Sequence, residues 1–147
     1  MAALDFPSSP TTNQIYTANN RSWLWNGTTW VSVTQSVYNP RTVVSSSTSG
    51  TITPDSSTAD QFEILGINGA VTIATPSGSP VNSQRLLLRL KDAGTTQTLT
   101  WTTTSGGFRV IGTTLPTSTT ANKIVYVGCI YNATDTFWDV VAVSTQG

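Results

Sequence analysis

The chain has 147 residues, seven basic and seven acidic side chains that cancel to zero net charge, one cysteine and no histidine. That length suits one ordinary domain, or a main domain with a small appendage. The charge balance argues against a nucleic-acid partner, because phosphate binding needs concentrated Lys and Arg. Without histidine the usual general base and the commonest transition-metal ligand are lost.

Residues 1-14 carry Pro7 and Pro10 among small polar residues and read as an extended amino-terminal arm, ordered only where something ties it down. Residues 15-33 read as a small Trp-rich β-meander, with strands over 15-18, 22-25 and 30-33. Asn19-Asn20 and Asn26-Gly27 punctuate it, and Asn-Gly suits the positive φ of a type I′ hairpin turn. Residues 34-50 form a polar linker ending in Ser45-Ser46-Ser47-Thr48-Ser49-Gly50, with Val43-Val44 as a brief strand.

From 51 to 147 the pattern is short strands between turn signals, with no helical periodicity. Strands are expected at 51-53, 61-67, 70-75, 85-91, 98-102, 108-111, 123-131 and 137-144. The fold class that follows is all-β: an antiparallel β-sandwich or barrel-like domain, preceded by the arm and the meander. Phe62 and Ile64 with Val71 and Ile73 read as a half-buried hairpin around Asn68-Gly69. Leu86, Leu88 and Leu90 share one strand face, opposite Arg85, Leu87, Arg89 and Lys91. The last two strands form a long hairpin, apolar on both faces for much of its length. Val125, Val127, Val141 and Val143 are therefore oligomer-interface candidates, since one sandwich covers only one face.

Catalytic chemistry is sought in vain. One cysteine and no histidine exclude a Cys/His metal site, and Cys129 lies in an apolar strand pattern as a small buried hydrophobe. Asp55 and Asp60 lie close in sequence and read as turn capping by an Asx side chain, while Asp135 and Asp139 read as a turn residue and a strand-edge charge. A calcium site at Asp55 and Asp60 lacks the EF-hand spacing. No catalytic residue, metal or cofactor is expected, and no apolar run approaches the ~20 residues of a membrane span.

Tyr16, Trp23, Trp25 and Trp30 are the partner-contact or module-core candidates. Exposed rings could stack on sugar. A module this short has little other apolar mass, however, which favours core or inter-subunit packing.

The run Phe6-Pro7-Ser8-Ser9-Pro10, then Tyr16, then Asn19 through Trp30, resembles a segment common in structural proteins of tailed bacteriophages. The remainder is similar to a β domain of phage virion proteins, through residues 53-61, 78-91 and 121-132. The resemblance implies assembly rather than catalysis, and a place on the phage particle surface after synthesis in the host cytoplasm. No repeat, heptad or fibre shaft is present. A capsid decoration or cement protein that stabilises the outer shell is therefore the leading expectation. A short tail fibre or fibre adaptor that binds a host surface glycan is the alternative. Expected partners are the major capsid protein or other virion proteins and the chain itself as a homotrimer, with no nucleic acid and no membrane.

Overall fold

The structure, a computed structural model, describes residues 5–18, 21–33 and 40–147. The chain falls into two compact units, Met1–Asn39 and Pro40–Gly147. The second unit begins inside the stretch read as a linker. Val43 is parted from the core by no linker: its strand joins the main sheet, while residues 34–39 lie outside the described residues.

In the first unit, β1 (Ile15–Ala18), β2 (Arg21–Trp25) and β3 (Trp30–Val33) form an antiparallel sheet in that order. Register aligns Tyr16, Trp23 and Ser32 on one face and Ile15, Leu24 and Val31 on the other. Trp25 pairs with Trp30, so the connection has four residues rather than the two of a type I′ turn. The reason is local. Asn26 Oδ1 accepts the N–H groups of both Thr28 and Thr29 at 2.9 Å, so the asparagine works through its side chain, and Gly27 alone takes positive φ, +96°. The Asn19-Asn20 turn lies outside the described residues.

The second unit holds β4 (Thr42–Val44), β5 (Gly50–Ile52), β6 (Gln61–Ile67), β7 (Val71–Ile73), β8 (Arg85–Asp92), β9 (Leu99–Trp101), β10 (Phe108–Val110), β11 (Ile124–Asn132) and β12 (Phe137–Thr145). A six-stranded sheet runs β10-β12-β11-β8-β6-β4 and a three-stranded sheet runs β5-β7-β9. The chain alternates between them from β4 to β9. As a result β4, β6 and β8 are parallel in one sheet, and β5, β7 and β9 are parallel in the other. Only the β8-β11-β12 part is antiparallel, and β10 adds parallel to β12.

This corrects two expectations. The unit is all-β, but its sheets are mixed and parallel rather than antiparallel, and β6 and β7 do not form a hairpin. Phe62, Ile64 and Ile67 on β6, and Val71 and Ile73 on β7, do bury one face each. They reach a common core from different sheets. Parallel neighbours need a crossover, and here the crossover is a strand of the other sheet rather than a helix.

The core joins Ile52, Val71, Ile73 and Leu99 of the small sheet to Phe62, Ile64, Leu86, Leu88, Leu90, Val125, Val127, Trp138 and Val140 of the large one. Asp92, at the end of β8, is buried with them. Its Oδ1 accepts the backbone N–H groups of Gly94 and Asn122, both at 2.9 Å, which ties the β8–β9 turn to the segment leading into β11.

Candidate interaction surfaces

In the first unit the arm supplies the residue that organises the aromatic candidates. Phe6 lies 5.2 Å from Tyr16, 5.4 Å from Trp23 and 5.3 Å from Trp30, centroid to centroid, and stacks on Trp30 at 18°. Trp25 meets Trp30 at 5.6 Å. Alternation along β1, β2 and β3 puts Tyr16, Trp23, Trp25 and Trp30 on one sheet face, and Phe6 closes over three of them. All four are half-buried. Their ring faces are largely used on one another, an arrangement of a miniature core.

The opposite face of the meander is open. Ile15 is 65% exposed and Val31 41%, with Leu24 between them in register. This apolar row was legible as alternation in residues 15–33, but the tryptophans carry the stronger sequence signal.

The four valine candidates of the last hairpin separate. Val125 and Val127 are buried in the chain's own core, so they cannot also form an oligomer interface without dismantling it. Val143 pairs with Val127 and packs half-buried against that core. Val141 is 46% exposed. The cause is a bulge: Gly128 pairs with Ala142 and Cys129 with Val140, which leaves Val141 as the extra residue. The hairpin's outward face therefore consists of Tyr126, Gly128, Ile130, Val141 and Ala142, with Tyr126 37% exposed.

Register extends that face across the large sheet. Ile130 lies beside Arg85, Gly128 beside Leu87, Tyr126 beside Arg89 and Ile124 beside Lys91. On the far side of β8, Leu87 neighbours Gln61, Arg89 neighbours Glu63 and Lys91 neighbours Leu65. Glu63 is buried to 7% exposure and paired: Arg89 Nη1 donates to its Oε1 at 3.1 Å and Gln61 Nε2 donates to the same oxygen at 2.5 Å. That pairing raises the already high Arg89 value through the hydrogen bond to Glu63.

The acid pairs have structural partners. Asp55 Oδ1 accepts from the Ser57 hydroxyl and backbone N–H, which holds its carboxyl below the usual range. Arg41 grips Asp60 through both carboxylate oxygens and donates to the Ser57 carbonyl, and it likewise lowers Asp60. Asp55 Oδ1 and both carboxylate oxygens of Asp60 thus have partners within the chain. Asp135 and Asp139 share Arg109, with Nη2 2.9 Å from Asp135 and Nε 2.7 Å from Asp139. Arg109 also rests over the Phe137 ring at 5.1 Å. Among the described residues no group of three His, Cys, Asp or Glu side chains could hold a metal. Burial pushes the Cys129 thiol up to about 12, so it has no nucleophilic thiolate near neutral pH.

No protein-family model matches the chain, and no curated protein matches it.

Proposed function

We propose that the chain is a non-enzymatic structural protein of a tailed-bacteriophage particle that binds the outside of the capsid shell and clamps neighbouring shell subunits. The virion setting rests on the resemblance of the aromatic segment and of the β domain. The observation that supports assembly is the pair of open sheet faces: Ile15, Leu24 and Val31 in the first unit, and Leu87, Tyr126 and Ile130 in the second. Apolar area withdrawn from water stabilises by roughly 25 cal/mol per Å², so even a modest contact repeated over a shell has a large summed effect. Particles stripped of the protein lose resistance to heat and to internal DNA pressure under this reading, and regain it on adding the protein back. Copy number per particle locates it. Hundreds of copies place it on the shell, whereas a small multiple of the tail symmetry makes it a short tail fibre or adaptor.

Self-association as a homotrimer belongs to the same proposal, through strand edges rather than the buried valines. The large sheet ends in two short strands, β4 and β10, on which Val44 and Val110 are exposed. Closed symmetry would cover such edges and prevent uncontrolled pairing. Sedimentation at micromolar concentration tests this, and a stable monomer overturns it.

A further inference from the structure

We infer that the outer face of β8, with its neighbours on β11 and β6, is the docking surface of the second unit, and that it takes a carboxylate-bearing face of another protein. The chain's own charge pairing leads there. Every acidic side chain of the second unit is already engaged: Asp55 by Ser57, Asp60 by Arg41, Glu63 by Arg89, Asp92 by backbone N–H groups, and Asp135 and Asp139 by Arg109. Among the described residues, Arg85 and Lys91 have no side-chain partner.

Both lie on the outward face of β8, because Leu86, Leu88 and Leu90 between them are buried. Arg85, Leu87, Arg89 and Lys91 thus project in a line, spaced roughly 7 Å apart by the two-residue repeat of a strand. Three cations face one carboxylate, Glu63, which Arg89 holds. Tyr126, Ile130 and Leu87 lie between and beside the charges, so the strip is both basic and apolar.

This composition selects the occupant. A second copy of the chain is disfavoured, because a symmetric contact would set Arg85 and Lys91 against like charges, and no row of free carboxylates exists elsewhere in the unit to meet them. A nucleic acid is disfavoured because three cations with interleaved Leu, Tyr and Ile give few phosphate contacts and bury hydrocarbon against a polar backbone. An acidic protein surface with apolar side chains among its carboxylates satisfies both components.

The surface rests on the assembly reading for the identity of its partner, so the test separates the two. Co-sedimentation with capsid shells lacking the protein is measured at about 50 mM salt and again at high salt, where a Debye length of only a few Å screens exposed charges. The proteins are wild type, Arg85→Glu/Lys91→Glu, Arg85→Gln/Lys91→Gln, and Arg21→Glu as a charge change in the other unit. Arg85 and Lys91 make no internal ion pair, so thermal midpoints of the double variants should stay near wild type. The Glu pair should bind at least about tenfold more weakly at low salt and the Gln pair by an intermediate amount, while Arg21→Glu binds as wild type. Double variants that bind as wild type overturn the surface and leave the assembly reading standing. A wild-type protein that ignores the shells overturns both. Wild-type binding to a short single-stranded DNA, lost in the double variants, overturns the assignment of a protein partner.

Discussion

Arg109 on β10 and Asp139 on β12 are cross-strand partners in a parallel pair, joined by Nε to Oδ1 at 2.7 Å and Nη2 to Oδ2 at 3.1 Å. β10 has three residues and one neighbouring strand, and this two-pronged contact adds to the burial of Phe108 in holding it to the sheet. The Arg109 hydrogen bonds keep the Asp139 carboxyl below its ordinary value of 3.8. A carboxyl lowered in the folded state contributes stability that is present above the unfolded value and lost as pH falls through the folded one. Asp139→Asn is therefore expected to lower the thermal midpoint at pH 7 and to flatten its fall below pH 4. Thermal unfolding from about pH 2 to 7 checks this, and parallel wild-type and variant curves would refute it.

Gly107, just before β10, has no room for a side chain. A Cβ there would sit 2.2 Å from the Thr102 carbonyl oxygen, a backbone atom held by the Phe108 N–H. Gly107→Ala should cost more than about 2 kcal/mol in denaturant unfolding. Gly128→Ala is the control, since its Cβ would meet only Ala142 at an ordinary 3.7 Å, and it should stay within about 0.5 kcal/mol.

Val127 and Val141 should part company when charged. Val127→Glu puts an unpaired carboxylate among Leu88, Val125 and Val143 and is expected to abolish folding. Val141→Glu leaves the bulged side chain in water and should give a folded protein with near-native circular dichroism. Equal behaviour of the two would contradict the assignment of core and surface.

Phe6→Ala removes three aromatic contacts at once, each contributing about 0.5–1.5 kcal/mol beyond area burial. The expected result is a red-shifted tryptophan emission and lost near-ultraviolet dichroism from the meander, with the second unit still folded. A variant that keeps both signals, together with sugar-induced quenching, would mean the rings form a platform rather than a core.

Cys129 should be silent to a thiol reagent at pH 8 in the native protein and react once per chain on denaturation, because burial keeps it protonated. Labelling should then track unfolding. Fast native labelling would place the strand at the surface.

Strand existence was legible from residues alone, because period-two alternation depends only on one face being buried. Leu86, Leu88 and Leu90 opposite Arg85, Arg89 and Lys91 is the clearest instance, and the strand at 124–132 follows the same rule for most of its length, whereas the strand at 61–67 buries Phe62, Glu63 and Ile64 in a row. Alternation is blind to what lies beside a strand, however. Phe62-Ile64 and Val71-Ile73 have the pattern of a hairpin and the pattern of two strands facing each other across a core. Only the long-range register of β6 with β8 and β7 with β9 distinguishes them. The same limit applies to the surfaces. Composition made Trp23 and Trp30 conspicuous, but it took the packed arm to show Phe6 consuming their faces. Likewise the charges of β8 were visible as a line in sequence. That Arg89 is held by Glu63 while Arg85 and Lys91 are not depends on which strand lies next to β8, a non-local pairing that only the tertiary structure decides.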